Sequence, residues 1–205
     1  PALRAAESSR DFMANATHEL KTPIGAISLL AEAVEDAAGD PEAVTRFAGR
    51  IGTESRRLTD LVGQIITLSR LQGRPALASA EPLPIDDVVS DALQRCRPLA
   101  EGRGVSLTTS GERDLWVFGD AEQLTTALLN LIQNAINYSD PKARVAVTTR
   151  SVDADGEGWV EVAVSDNGIG IAPEDTKRIF ERFFRVDYAR SRESGGTGLG
   201  LSIVQ

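Results

Sequence analysis

The sequence contains one histidine, His18, within the stretch NATHELKTP. A neutral imidazole has a nucleophilic nitrogen at physiological pH, so His18 could accept a transferred group, with the adjacent Glu19 as the base that takes the ring proton. Thr22 lies four residues after His18 and therefore on the same helix face, where its hydroxyl could orient a water. The alternative is a core histidine without chemical function, and this segment alone leaves both interpretations open.

Asn130 and Asn134 lie four residues apart in LLNLIQNAINYS, on one face of an otherwise apolar helix. Asparagine is a mediocre helix former, so two on one face need a reason. One reason is Mg²⁺, because an amide oxygen can bind this ion beside an anionic nucleotide without adding negative charge. A solvent-facing polar stripe is the alternative.

The stretch VAVSDNGIGI places Asp166 at the end of an alternating strand, directly before Gly168 and Gly170. A carboxylate in this position can accept a hydrogen bond from an exocyclic amino group such as that of adenine, while glycines permit close approach of the backbone. An ordinary tight turn is the alternative.

A second glycine-rich stretch, GGTGLGLS, opens a predicted helix and contains Gly196, Gly198 and Gly200. Backbone N–H groups at a helix N-terminus form an anion site, and glycines clear space for phosphate oxygens. The stretch lacks the GxxxxGK[ST] pattern, and DNGIG does not extend to GxGxxG because position 173 is proline. Walker-type and Rossmann nucleotide loops are therefore disfavoured.

Between these glycine stretches lies RIFERFFRVDYARSRESGG, which is aromatic and basic at first and then polar. This composition predicts a mobile lid hinged on Phe180, Phe183 and Phe184, with Arg182 and Arg185 available to phosphates. An amphipathic surface helix followed by a disordered loop is the alternative.

Composition excludes several classes of protein. The formal net charge of −8 and the pI of about 4.8 give no basic surface for nucleic acid or an anionic membrane. Cys96 is the only cysteine, so one chain forms neither a disulfide nor a Cys/His zinc site. No apolar run approaches 18 residues, which predicts no membrane contact by this fragment. Both ends are interpreted as cuts through a longer protein.

Apolar spacings of three and four predict two helices that pair in antiparallel fashion, the first including Leu20 to Val34 and the second Val44 to Leu68. Between them, AAGDP supplies a glycine stop, an aspartate N-cap and a proline at the first helical position. One hairpin has too little surface to close a core, so we expect a homodimer that completes a four-helix bundle.

Proline, alanine and glycine dominate QGRPALASAEPLP, where both periodicities lapse. The predicted organisation is a helical domain at 1–72, a linker at 73–84 and a two-layer α/β domain at 85–205. The elements predicted in the α/β domain are helices at 85–101 and 120–138 and strands at 104–109, 144–150 and 159–166.

Taken together and in this order, the motifs FMANATHELKTP, NLIQNAINYS, DNGIG, RIFERFFR and GGTGLGL resemble the H-box, N-box, first glycine box, F-box and second glycine box of sensor histidine kinases. The resemblance covers nearly the whole chain and looks closest to the actinobacterial phosphate-sensing kinases. It implies a Bergerat (GHKL) ATP-binding fold, ATP and Mg²⁺ as cofactors, and the cytoplasmic portion of a membrane-bound sensor protein.

The resemblance also implies residue roles. His18 would be the phosphoacceptor, Glu19 its base and Thr22 the phosphatase residue, with phosphate passing to an aspartate of a response regulator. Asn134, assisted by Asn130, would bind the metal. The other residues implied to bind nucleotide are Tyr138, Asp166, Gly168, Gly170, Lys177, Arg182, Gly196, Gly198, Leu199, Gly200 and Leu201.

Two departures from the family pattern stand out. Asn137 occupies a position where many relatives have lysine or arginine, so Lys142, Lys177 or Arg182 would have to supply that cation. The sequence ends at Gln205, inside the helix after GGTGLGL, and the family's final strands do not follow. Two alternatives therefore stay open: a different ATPase on the same fold, and a catalytically silent dimeric scaffold.

Overall fold

The computed structural model describes residues 2–73, 79–154, 156–186 and 196–204, and the chain divides into two compact units, 1–73 and 74–205. The first unit contains α1 (Ala2–Asp36) and α2 (Pro41–Gly73). The second contains, in chain order, β1 (Glu81–Pro84), α3 (Ile85–Arg103), β2 (Ser106–Gly111), β3 (Trp116–Gly119), α4 (Ala121–Asn137), β4 (Arg144–Ala154), β5 (Glu157–Asp166) and α5 (Gly200–Val204).

The first unit is the predicted hairpin of two long helices. The turn has the predicted chemistry: Asp40 Oδ1 accepts the backbone N–H groups of Glu42 and Ala43, each at 3.1 Å, and Pro41 is the first residue of α2. Helix α1 continues through Pro23, whose side chain is buried, although proline cannot donate a backbone hydrogen bond there.

The apolar surface of the hairpin is only partly covered within one chain. Phe12 and Ala16 of α1 and Leu61 and Leu68 of α2 are buried. Other apolar side chains on the two helices expose 40–67% of their surface: Met13, Ile24, Leu29, Val62 and Ile66. Exposed apolar surface of this kind is typical of an interaction face, in line with the homodimer that the sequence predicts.

In the second unit, the main sheet has the order β2-β4-β5, with β2 parallel and β5 antiparallel to β4. Helices α3 and α4 pack together against one face of this sheet. Val145 and Val147 of β4 and Ile132 and Ile136 of α4 are buried there. The result is the predicted two-layer arrangement.

Cys96 lies in the same core and is fully buried. Burial raises the pKa of its thiol to about 11, since the charged thiolate would lose its hydration. The cysteine is thus the small buried hydrophobe expected from the sequence.

A second sheet, formed by β1 and β3, was not predicted. Residues 81–84, which the sequence analysis placed in the linker, pair with Trp116–Gly119, with Pro82 opposite Phe118 and Pro84 opposite Trp116. Proline cannot donate to a ladder and is tolerated on edge strands, so EPLP does not look like a strand in sequence alone. The strands β4 and β5 also extend into the turn-rich DADGEG segment, further than predicted.

Among the described residues, no helix has both the length and the apolar character needed to cross a bilayer.

Candidate functional site

The three residues predicted to handle phosphate in the first unit lie on α1. His18 and Thr22 are exposed, and Glu19 is partly buried. The Thr22 hydroxyl donates to the His18 backbone carbonyl at 3.4 Å, which is long for a hydrogen bond from a hydroxyl group. The imidazole is therefore open to an incoming group, with a carboxylate next to it in sequence and a hydroxyl one turn away.

Helix α4 positions the two asparagines. Asp120 caps the start of the helix by accepting the Gln123 N–H at 3.1 Å, and both Asn130 and Asn134 remain partly exposed. Asn130 Nδ2 donates to the Thr126 carbonyl at 2.8 Å. Its Oδ1 faces the first residue of α5, because a Cβ added at Gly200 would lie 3.1 Å from that oxygen.

The DNGIG loop closes on the end of α4. Asp166 Oδ1 accepts the Gly168 N–H at 2.9 Å, and the Ile169 N–H donates to the Tyr138 carbonyl at 3.1 Å. A Cβ at Gly168 would lie 2.4 Å from that same carbonyl oxygen, so only glycine fits. The carboxylate of Asp166 is exposed and retains an oxygen for an amino group of a ligand.

The second glycine stretch is held by the F-box. The Phe183 N–H donates to the Gly198 carbonyl at 2.8 Å, and both residues have positive φ, 63° and 75°. A Cβ at Gly198 would lie 2.7 Å from the Phe183 carbonyl carbon. A Cβ at Gly196 would lie 3.4 Å from the Tyr138 hydroxyl, so this stretch also approaches α4.

The remaining predicted residues contribute differently. Leu199 is fully buried, and its N–H donates to Thr197 Oγ1 at 3.2 Å, so its side chain serves the core. Leu201 and Arg182 are partly buried, and Lys177 is exposed. Gly170 has φ 71°. Of the predicted lid, residues 187–195 lie outside the described residues.

Sequence reasoning missed two residues that shape these loops. Asn167 Oδ1 accepts the Arg144 N–H at 2.8 Å and so ties the DNGIG loop to the start of β4. Thr197, itself buried, bonds the loop before α5 internally through its hydroxyl. Asparagine and threonine often form such local side-chain to backbone bonds, which is a signal available from sequence.

Asn137, which stands where many relatives have lysine or arginine, is contacted by Arg103, a cation that was not among the expected substitutes. Arg103, from the end of α3, donates through Nη1 to the Asn137 carbonyl at 3.2 Å. Lys142, one of the expected substitutes, is exposed and has φ 72°.

Residues 8–74 match the family described as His Kinase A (phospho-acceptor) domain, and residues 119–205 match Histidine kinase-, DNA gyrase B-, and HSP90-like ATPase. A solved structure, the mycobacterial sensor histidine kinase MprB, is 32% identical with a TM-score of 0.51, over 61% of this chain and 75% of that one. The chain belongs to the histidine kinase family. The predicted fold class, helical hairpin plus GHKL-type α/β unit, is confirmed for this kinase chain.

Two further similarities extend the comparison. The sensor-like histidine kinase SenX3 of Mycolicibacterium smegmatis is 48% identical over 202 residues, which are 98% of this chain and 52% of that protein. The kinase ShkA, solved at full length with AMPPNP, is 25% identical with a TM-score of 0.62, over 94% of this chain and 39% of that one. The chain thus spans about half the length of the curated relatives it matches.

Proposed function

We propose that this chain is the catalytic portion of a protein-histidine kinase that phosphorylates His18 with ATP and passes the phosphate to an aspartate of a cognate response regulator. The observation that carries the proposal is the meeting of segments far apart in sequence. Asn130 faces Gly200, and Tyr138 lies against both Gly168 and Gly196. Three motifs that each have an ordinary structural explanation alone thus lie in contact with one another.

The pocket residues suit a nucleotide. Asp166 can accept the adenine amino group through the oxygen that does not bond the Gly168 N–H, while the missing side chain at Gly168 lets the DNGIG loop pack against the Tyr138 carbonyl. The loop before α5 offers N–H groups to phosphates. The complex of ShkA with AMPPNP, a nucleotide, supports the same use of the pocket here.

The asparagines suit Mg²⁺, which prefers oxygen ligands and bridges phosphates when bound. The Asn130 amide already uses its nitrogen on the Thr126 carbonyl, and its oxygen faces Gly200 of the second glycine stretch. Asn134, one turn later on the same face, would be the principal ligand. Their neutral amides would hold the ion without repelling the triphosphate.

At His18 the reaction is an in-line displacement. A ring nitrogen forms a bond to the γ-phosphorus, the bond from that phosphorus to the bridging oxygen breaks, and ADP leaves with the electron pair. Glu19 accepts the proton from the other ring nitrogen, a type of assistance worth ~10²–10⁴-fold. In the separate phosphatase reaction, Thr22 would release the His18 carbonyl and orient the water that attacks the regulator's phosphoaspartate, so that the P–O bond to the aspartate breaks and inorganic phosphate leaves.

The wider assignment rests on the family. We propose a homodimer through the hairpin, a response regulator receiver domain as the partner, and a cytoplasmic position in a membrane-bound sensor protein. The 48% identity to SenX3 supports the actinobacterial phosphate-sensing type of kinase.

Incubation with γ-labelled ATP and Mg²⁺ tests the proposal. We expect acid-labile label on the wild-type chain, none on His18→Gln, and unchanged ATP binding by that variant. Asn134→Ala should lose Mg²⁺-dependent nucleotide binding while remaining folded. Binding without label would indicate a silent scaffold, and hydrolysis without label a different ATPase.

A second measurement isolates the proposed phosphatase role. Thr22→Ala should slow dephosphorylation of the regulator by about tenfold or more while autophosphorylation changes little, because a positioned catalytic group is typically worth that much. Thr22→Ser keeps the hydroxyl and should retain most activity. Equal losses of both activities in Thr22→Ala would contradict the role.

A further inference from the structure

A cleft of about 480 Å³ lies between α3 and the edge of the main sheet, and no residue assigned to nucleotide or phosphoacceptor lines it. Val89 and Leu93 of α3 supply its apolar side, and Thr109 of β2 lies across from them. Arg97 and Arg113 also line it. The volume lies in the range of ligand sites rather than of packing defects.

Asp86 lines the cleft together with Arg97 and Arg113, so its lining carries a net formal charge of +1, although the chain as a whole carries a net charge of −8. Arg113 Nε pairs with Asp86 at 3.3 Å, and the same carboxylate oxygen accepts the Asp114 N–H at 3.1 Å. Asp86 therefore anchors Arg113, whose side chain is still 71% exposed. Arg97 makes no ion pair or hydrogen bond with any part of the chain that the structure describes. Two guanidinium groups in one cleft favour a carboxylate ligand.

One wall of the cleft is a sheet edge. Within the described residues, β2 pairs only with β4. The N–H groups of Ser106 and Glu112 donate to carbonyls at the β4 side, at 2.9 Å each. Backbone direction alternates along a strand, so Leu107 and Thr109 direct their N–H and C=O groups to the open edge. Thr109 thus faces outward with its backbone and lines the cleft with its side chain.

This edge lacks the usual protection. Natural edge strands are blunted by charges, prolines or bulges, since unpaired backbone groups invite another strand. The strand SLTTSG contains neither a charged residue nor a proline, and most of it is exposed. An open strand beside a cationic cleft is the arrangement that β-strand addition uses, where backbone pairing supplies affinity and a side-chain pocket supplies specificity.

We propose that this edge, residues 106–110 together with Arg97 and Arg113, binds an extended acidic peptide segment of a partner protein. The peptide pairs with the backbone of Leu107 and Thr109 and places a carboxylate side chain between the two arginines. A second copy of the chain is a poor occupant, because pairing two β2 edges would bring like-charged arginines together. Nearly all of the cleft lies in residues 86–113, outside both family matches, so the site adds to the proposed kinase function.

The first test uses the full chain and a fluorescein-labelled hexapeptide of alternating valine and threonine with one central glutamate. Anisotropy should show saturable binding, and the glutamine version of the peptide should bind about tenfold more weakly, as expected for loss of a charge pair shared by two arginines. Arg97→Gln/Arg113→Gln should weaken the glutamate peptide similarly and abolish the difference between peptides. Equal binding of the two peptides to the wild-type chain would overturn the carboxylate site.

The second test addresses the backbone. Thr109→Pro removes an N–H that faces the open edge and leaves the bonds to β4 intact, so the chain should fold and bind ATP normally while peptide binding is lost. Thr109→Val keeps the N–H and should bind the peptide. In the labelled wild-type chain, the amide resonances of Leu107 and Thr109 should shift on binding. Unchanged peptide affinity in Thr109→Pro, or complete displacement of the peptide by stoichiometric glutarate, would refute strand addition.

Discussion

At the scale of single residues, the site depends on positions where only one residue type fits. Gly168 is the clearest, since a Cβ there would lie 2.4 Å from the Tyr138 carbonyl oxygen and 2.9 Å from Asp166 Oδ1. The glycine therefore allows the end of α4 and the DNGIG loop to touch. Asn130 uses both ends of its amide group, since its nitrogen donates to the Thr126 carbonyl and its oxygen faces Gly200.

Gly168→Ala tests this contact. We expect ATP affinity to fall by about tenfold or more, because the loop must move to relieve an overlap that typically costs about 1–3 kcal/mol. Calorimetric titration with Mg²⁺ and ATP provides the measurement. Gly158→Ala, on the same strand–loop segment but with nothing within 4 Å of the added carbon, is the control and should bind normally. Normal binding by both variants would contradict the contact.

At the scale of elements, α4 connects the fold to the site. One side of the helix buries Ile132 and Ile136 in the core, and the other presents the two asparagines. Asp120 holds its start through two bonds, to the backbone and the side chain of Gln123. A helix fixed at its N-terminus and packed along one side keeps the asparagines in place.

Asp120→Ala should lower the free energy of unfolding of the second unit by about 1 kcal/mol, the usual value of an N-cap. Both tryptophans of the chain, Trp116 and Trp159, lie in this unit, so urea denaturation followed by their fluorescence reports it selectively. Asp120→Asn retains an acceptor and should lose little. Equal destabilisation by the two variants would show that the cap bond is not the cause.

The element scale is also where sequence prediction failed in part. The helices and the long strands were predicted because their apolar periods are local. The strands β1 and β3 were not, since each has four residues and β1 contains two prolines. Their pairing joins residues more than 30 positions apart, so no local sequence pattern predicts it.

At the scale of the whole molecule, the two units differ in how completely each buries its apolar side chains. The second has a closed core of its own, whereas the hairpin leaves apolar side chains exposed on both helices. Covering that surface with a second hairpin would complete a four-helix bundle. The homodimer therefore stays a prediction that follows from burial.

The double variant Val62→Glu/Ile66→Glu tests the predicted homodimer, because these two exposed apolar residues lie one turn apart on α2. Buried unpaired carboxylates cost several kcal/mol, so we expect the dimer dissociation constant to rise by about a hundredfold or more in sedimentation equilibrium. ATP affinity should be unchanged. Asp60→Lys, a charge change on the other side of α2, is the control, and equal weakening by both would count against this interface.

The sequence by itself determined the kinds of chemistry available and the order of the elements. His18 with Glu19 and Thr22, the paired asparagines, Asp166 and the glycines are candidates that residue type and spacing single out, because helix and strand periods fix which neighbours share a face. The turn at Asp40 and Pro41 was predictable for the same local reason.

Only the tertiary structure decided which distant residues meet. The contacts of Asn130 with Gly200, of Tyr138 with Gly168 and of Arg103 with the Asn137 carbonyl join residues at least 30 positions apart. The β2 edge and its two arginines are closer in sequence, but only the packing of α3 beside the sheet places them around one cleft. Such contacts depend on how helices and sheets pack around a shared core, and packing depends on the whole set of side chains rather than on any local pattern.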